Sequence, residues 1–278
     1  MCRMFVRRAS HSLPGENDLL DSPHSLRCQS ECDLLGRNHV DGWGVAYYRN
    51  RQPVVLRGIE PAYQDPRFHE ACVAARSTTV MAHVRRASKG TLKRENCHPF
   101  TRGKWTFAHN GTLTALEALR ERLYRETKAA SRRLILGDTD SEMIFHWLLD
   151  SLERQKAVAG DRCLSLPRMR QTIATALADL DSRNAQAEQG STKADPVARL
   201  NVFLTNGSVL IAARMRNSLH KLTRKTRLKN GTTARSITFA SEPFGPGNWR
   251  QIDDLSVVSL SSEFKLASAP IVVAIPRR

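Results

Sequence analysis

Apolar residues along this chain follow two different periods. In the first 110 residues they come as short runs rich in β-branched and aromatic side chains. Arg3–Val6, Gly44–Arg49, Pro53–Arg57, Thr78–Arg85 and Lys104–His109 read as strands. Turn dipeptides, among them Asp41-Gly42 and Asn110-Gly111, separate them. Helical spacing then takes over. Leu116, Leu119 and Leu123 mark one face of a helix over Leu113–Arg125, and Ile144, Trp147, Leu148 and Leu152 mark another. The second helix opens on Thr139-Asp140-Ser141-Glu142, which has the form of a capping box. Met169, Ile173, Leu177 and Leu180 predict a third. Asp181–Pro196 is small, polar and non-periodic and reads as a mobile surface loop. Strand patterns return at Leu200–Thr205, Ser208–Ala213, Ser236–Ala240, Leu255–Leu260 and Pro270–Ile275. Strands, then helices, then strands do not spell repeated βαβ units, so the expected class is α+β, with antiparallel sheets covered by helices.

Composition narrows this picture. The chain has 278 residues, 41% hydrophobic and 25% charged, which are ordinary globular values. No run approaches 18 uninterrupted apolar residues, so no transmembrane helix is expected. The N-terminal segment lacks the apolar core of a secretory signal, and the expected location is cytoplasmic. Six cysteines then read as free thiols in a reducing compartment rather than a disulfide framework. The pair Cys28 and Cys32 has no second pair at zinc-finger spacing.

Charge raises another class of partner. Lys and Arg number 43 against 27 Asp and Glu, a net +16, and eight of the basic residues lie between Arg214 and Arg235 with no acidic interruption. That stretch lacks the interleaved aromatics that stack bases. It contains Asn230-Gly231, a hairpin-turn signal, so the plain reading is a solvated basic hairpin. An anionic substrate, an acidic partner or nucleic acid is the alternative.

Candidate chemistry begins at Cys2. Removal of Met1 leaves a residue that carries both a thiol and a free α-amine. A thiol needs a base near neutral pH, and an α-amine of pKa roughly 7.7–8 can accept its proton. Further along come Asp41-Gly42-Trp43-Gly44, His83-Val84-Arg85-Arg86-Ala87-Ser88, Asn96-Cys97-His98-Pro99-Phe100, Phe107-Ala108-His109-Asn110-Gly111 and Thr139-Asp140-Ser141-Glu142. With the N-terminal cysteine, this ordered set resembles the class II glutamine amidotransferases, which are N-terminal-nucleophile (Ntn) hydrolases. It is most similar to the standalone members, and Ala240-Ser241-Glu242-Pro243 looks like a late motif of theirs.

The resemblance implies a single domain over residues 2–278 with the four-layer αββα Ntn-hydrolase sandwich. It implies attack of the Cys2 thiolate on a glutamine or other γ-glutamyl amide, giving a thioester that water or an amine resolves. The α-amine of Cys2 would be the base, and Asn110 with the Gly111 backbone N–H would form the oxyanion hole. Arg85 matches the grip on the substrate α-carboxylate and Asp140 the partner of its α-ammonium. Ser88 and His98 fall at further substrate-contacting positions. His83 and His109 read as structural histidines, and Trp43 as core packing beside the site. Residues 7–40 have no match in the resemblance and are expected to loop over the cleft. No cofactor or metal is implied, and no membrane association. The expected partner is a small γ-glutamyl compound, with a separate acceptor or synthase subunit as a further expectation. Two alternatives stand beside the hydrolase: an ammonia-donating amidotransferase subunit, and a basic anion- or nucleic-acid-binding protein with a vestigial site.

Overall fold

Two hydrophobic faces per strand are what bury a sheet on both sides, and β1 shows them at once. Met4 and Val6 point one way, Phe5 the other, and all three are buried. The computed structural model describes residues 2–87, 90–188 and 198–273. From the N-terminus the elements are β1 (Arg3–Leu13), α1 (Leu26–Glu31), β2 (Trp43–Arg49), β3 (Gln52–Gly58), α2 (Pro66–Ala74), β4 (Ser77–Val84), β5 (Phe100–Arg102) and β6 (Trp105–Thr112). There follow α3 (Leu116–Glu126), α4 (Ala129–Arg132), α5 (Asp140–Arg154), β7 (Val158–Ala159), β8 (Arg162–Cys163) and α6 (Leu166–Ala187). The last part holds β9 (Arg199–Thr205), β10 (Leu210–Arg214), β11 (His220–Arg227), β12 (Thr233–Ala240), β13 (Arg250–Gln251), β14 (Ser256–Leu260) and β15 (Leu266–Pro270).

The strands form two large antiparallel sheets, ordered β13-β11-β12-β1-β4-β2-β3 and β15-β14-β10-β9-β6-β5. Met4, Val6, Met81, Phe203, Leu210, Ile237 and Phe239 fill the space between them. Phe5, Val45, Phe68, Ala71 and Val80 bury the outer face of the first sheet against α2 and the segment around α1. Phe107, Leu119, Ile144, Trp147, Leu148, Ile173 and Leu177 pack the second sheet against α3, α5 and α6. This is the four-layer αββα sandwich of the Ntn hydrolases.

Local chemistry sets the helix starts. Asp65 caps α2 by accepting from Arg67 N at 3.0 Å, with Pro66 at the first helical position. Thr139 Oγ1 caps α5 by accepting from Glu142 N at 3.4 Å. Only that half of the expected capping box is seen, because the Glu142 carboxylate turns to the backbone N–H groups of Leu136 and Gly137.

Three expectations need correction. The loop expected at 181–196 is helical as far as Ala187, and 189–197 lie outside the described residues. Its polar residues are buried by pairing: Asp181 takes a bidentate pair from Arg216, at 2.7 Å to each oxygen, and Asn184 Oδ1 accepts from Ala115 N at 3.0 Å. The strand expected at Pro270–Ile275 ends where it was to begin. The actual β15 is an exposed edge strand of weak apolar pattern, and 274–278 lie outside the described residues. The 7–40 segment is ordered rather than a loop over the cleft, since β1 continues to Leu13 and α1 spans Leu26–Glu31. The basic stretch does form its hairpin. β11 and β12 pair from His220↔Ala240 to Arg227↔Thr233, around a turn in which Gly231 has φ +82°.

Candidate active site

Antiparallel pairing brings distant motifs to one end of the first sheet. Arg3 of β1 and Trp43 of β2 both pair with Val84 of β4, so Cys2, Gly42 and Arg85 become neighbours. Beside them, Ser241 leaves the end of β12 and donates its N–H to Met4 O at 3.0 Å. Asn110, near the end of β6 in the second sheet, reaches the same place, with Nδ2 3.4 Å from Ser241 Oγ.

The Cys2 thiol lies against the backbone just past β4. Its Sγ accepts from Arg86 N at 3.3 Å and donates to Arg86 O at 3.4 Å. Burial pushes the thiol pKa up, while the Arg86 backbone bond and the charges of Arg85 and Arg3 pull the other way. Ser241 Oγ accepts from both Met4 N, at 3.1 Å, and Asn110 Nδ2. One buried hydroxyl thus ties the strand that carries Cys2 to the Asn110 amide. Asn217 Nδ2 holds the carbonyl of Asn110 at 3.0 Å. Gly111 has no room for a side chain, since a Cβ there would sit 1.7 Å from Arg199 O on the neighbouring strand.

A buried ionic cluster lies behind the cysteine. Arg3 donates to Cys2 O at 3.0 Å and pairs with both Asp33 and Glu242 at 2.5 Å. Burial opposes ionisation of Asp33. The N–H groups of Arg37 and Leu35, the Arg3 guanidinium and His39 outweigh it and hold the carboxyl below its usual range. His39 donates from Nε2 to Asp33 at 3.1 Å, and burial with the nearby Arg3 charge lowers its own pKa to about 4. Glu242 Oε2 lies 3.0 Å from His24 Nε2 and accepts from Leu34 N. The 7–40 segment therefore supplies the support beneath the site.

On the opposite flank, Arg85 is buried, its guanidinium facing the carbonyls of Thr91 and Gly90 at 3.3 Å. Its backbone exchanges hydrogen bonds with Gly42 O and Asp41 N, and Asp41 Oδ2 accepts from Ala87 N at 2.7 Å. The two glycines of Asp41–Gly44 are forced. Gly42 has φ +110°, and a Cβ on Gly44 would lie 2.0 Å from His98 O. Asp140 opens α5 partly exposed, and Ser141 links its carboxylate, at 3.2 Å, to His109 Nδ1, at 2.9 Å. Asp138 is held by Asn96 Nδ2 at 2.5 Å and Thr91 Oγ1 at 3.0 Å.

His98 is placed differently from the other candidates. It is buried, its ring 4.3 Å from His83 and 4.6 Å from Phe100, and burial keeps its pKa well below the ordinary value. What this residue offers the site is its carbonyl against Gly44. Ser88, with Lys89, lies outside the described residues. His83 and His109 are buried, and Trp43 packs edge-on against Phe68 while donating to Asp65 at 2.9 Å. Asp33, His39 and Asn217 carried no sequence signal. Ser241 and Glu242 stood in a recognisable motif without an assigned task.

The family model for class II glutamine amidotransferases matches residues 16–234. A γ-glutamyl-hercynylcysteine sulfoxide hydrolase of Mycobacterium tuberculosis is 29% identical over 250 residues, covering 88% of this chain and 87% of that protein. The probable glutamine amidotransferase DUG3 of Saccharomyces cerevisiae is 27% identical over 229 residues, 77% of this chain and 63% of its own length. Against the putative glutamine amidotransferase YafJ of Escherichia coli, 34% identity extends over 42% of this chain and 44% of that protein. Among solved structures, a class II domain protein of Silicibacter pomeroyi superposes with a TM-score of 0.65 over 99% of this chain and all of its own, at 20% identity. The glutamine phosphoribosylpyrophosphate amidotransferase of Bacillus subtilis superposes with a TM-score of 0.58 over 99% of this chain and half of its own, at 13% identity. These last two establish the fold, and the family match establishes membership: this chain belongs to the class II glutamine amidotransferases.

Proposed function

We propose that this protein hydrolyses the γ-amide of glutamine or of another γ-glutamyl compound through a thioester on Cys2. The observation that carries the reading is the shared Ser241 hydroxyl, which fixes the Cys2 strand and the Asn110 amide to one point. A nucleophile and an oxyanion donor must be held together in this way for acyl transfer.

Once Met1 is removed, the α-amine of Cys2 takes the thiol proton. The thiolate then attacks the γ-carbonyl carbon. The resulting oxyanion lies between the Asn110 amide and the Gly111 N–H. With one Asn110 N–H committed to Ser241, the other is oriented for the substrate. Collapse breaks the C–N bond, and the amine leaves with the proton held by the α-ammonium. Water, deprotonated by the same amine, attacks the thioester, releasing glutamate and regenerating the thiol. Arg85 receives the α-carboxylate of the γ-glutamyl head and Asp140 its α-ammonium. The Mycobacterium relative, named for a γ-glutamyl substrate and matched over most of both chains, supports recognition of the head rather than the leaving amine.

The test is intact mass after incubation with a glutamine-like diazo-ketone. A single adduct on the Met1-free protein, absent from Cys2→Ala, is expected. Labelling that persists in Cys2→Ala, or none on the Met1-free protein, overturns the assignment. Release of free glutamate from a panel of γ-glutamyl compounds then identifies the leaving amine.

A further inference from the structure

A cleft of about 610 Å³ opens between the two sheets at the end away from Cys2. Arg8 lines it and lies six residues along β1 from Cys2, about 20 Å in an extended strand. The walls are the far half of β1, the turn between β2 and β3, the start of β4, the β9–β10 turn, β12 and the β14–β15 turn. Nothing in the hydrolase reading uses it.

Four arginines line it: Arg8, Arg51, Arg76 and Arg235. Among the described residues, no carboxylate comes within ion-pair distance of any of these guanidinium groups. Glu263 is the one acidic residue in the lining, and it turns toward the Ser262 hydroxyl. Arg8 is the informative member. Its side chain is buried, its Nε has no hydrogen-bond partner, and a 3.4 Å contact from Nη2 to Ser262 O is a weak one. The charge of Glu263 reaches Arg8 but does not outweigh the burial of its guanidinium, which is unfavourable without a closely paired anion. Arg8 and Arg235 moreover lie over the same Phe264 ring, at 5.1 and 5.6 Å, so the fold gathers like charges instead of separating them. Arg51 adds a third observation. It is the second residue of a two-residue hairpin turn, with φ +61° after Asn50 at +51°, where glycine is the favoured residue. A bulky residue adopts the left-handed region at a cost, and this one lines the cleft.

We propose that this cleft is a binding site for a phosphorylated small molecule, whose phosphate or diphosphate oxygens join the four guanidinium groups. Planar forks with several N–H donors match phosphate oxygens, and a doubly or triply charged anion neutralises the net charge of the lining.

Calorimetry with inorganic pyrophosphate and, separately, orthophosphate tests this on the full chain. Saturable 1:1 binding is expected, tighter for whichever probe spans the cleft. Arg51→Gln/Arg76→Gln changes exposed side chains and should weaken binding at least tenfold. Arg227→Gln/Lys229→Gln removes equal charge from the exposed hairpin outside the cleft and should leave the Kd within twofold. Diazo-ketone labelling of Cys2 should be the same in both variants, which separates this site from the hydrolase reading. Absence of saturable binding by the wild type, or equal weakening in the two double variants, overturns the proposal, the second outcome meaning diffuse attraction to a basic surface.

Discussion

Replacing Ser241 by alanine tests the linkage on which the site is built. The change removes the acceptor for two buried donors, Met4 N–H at 3.1 Å and Asn110 Nδ2 at 3.4 Å. A buried donor left unpaired costs about 1–3 kcal/mol, and the longer bond belongs at the low end, so the stability loss should be about 2–4 kcal/mol. The catalytic effect is bounded separately. Complete loss of one oxyanion donor costs about 100–1000-fold in rate. Here the amide stays in place but loses its orientation, because Asn217 still holds the Asn110 carbonyl. A fall in kcat of about 10–100-fold is therefore expected. KM should change less than threefold, since Arg85 and Asp140 are untouched, and a mutation that lowers kcat alone has removed a transition-state interaction. Glutamate release measured at 25 °C, with the folded fraction fixed by a urea melt, gives both numbers. Adding Ser241→Ala to Asn110→Ala should cost little more than Asn110→Ala alone, because the two act as a unit. A folded Ser241→Ala protein with kcat within twofold of wild type, or a double variant whose losses multiply, would refute the reasoning.

Other consequences are simpler to read. His39 and His146 are held neutral with pKa about 4 and His83 with pKa about 3, against about 6.5 in an unfolded chain, so the folded state binds fewer protons below neutrality. Their contribution is fully present above pH 6.5 and is lost as pH falls toward 4 and then 3; a urea midpoint unchanged between pH 7 and 5 would contradict this. Glu242→Gln removes one of the two carboxylates paired with Arg3. Its cost in urea denaturation should be about 2–3 kcal/mol, below the usual penalty for breaking a buried pair, and a midpoint equal to wild type would show the cluster to be idle. Gly44→Ala drives a Cβ into His98 O and should destabilise by more than about 3 kcal/mol, beyond ordinary overpacking, or prevent folding; a soluble variant of wild-type stability would count against the close approach. In thiol titration of the native protein, exposed Cys28 and Cys32 should react readily, while buried Cys72 and Cys97 react only on unfolding.

The elements legible in the sequence are those whose periodicity matches burial on one consistent face. Ile144, Trp147, Leu148 and Leu152 gave α5, and β-branched runs gave β4, β9 and β14. Reading failed where polar residues are buried by partners far along the chain. Asp181 and Asn184 look like loop residues until Arg216 and Ala115 are placed beside them. The edge strand β15 failed for the opposite reason, because exposed strands need no apolar alternation. The same distinction holds at the site. Asp41–Gly44 and Asn110-Gly111 were legible because their glycines are demanded by backbone approach, a constraint that local sequence records. Asp33 was not, since its value comes from Arg3 and His39, which only tertiary structure brings to it.

That contrast bears on how this fold supports its chemistry. Cys2, the proposed nucleophile, lies just before β1, and its position is set by cross-links to other elements. Three of them converge here: Arg86 backbone on the thiol, Arg3 on the Cys2 carbonyl, and Ser241 on the next strand residue but one. Of these, the Arg3 link runs through carboxylates supplied by the 7–40 segment and by the residue after Ser241. The ordered N-terminal segment and the late Ala240–Pro243 motif are thus two halves of one support, meeting under a residue neither of them contains. Sequence changes in either half should therefore alter the rate at Cys2 before they alter recognition of the γ-glutamyl head, which is proposed for Arg85 and Asp140 on the far flank.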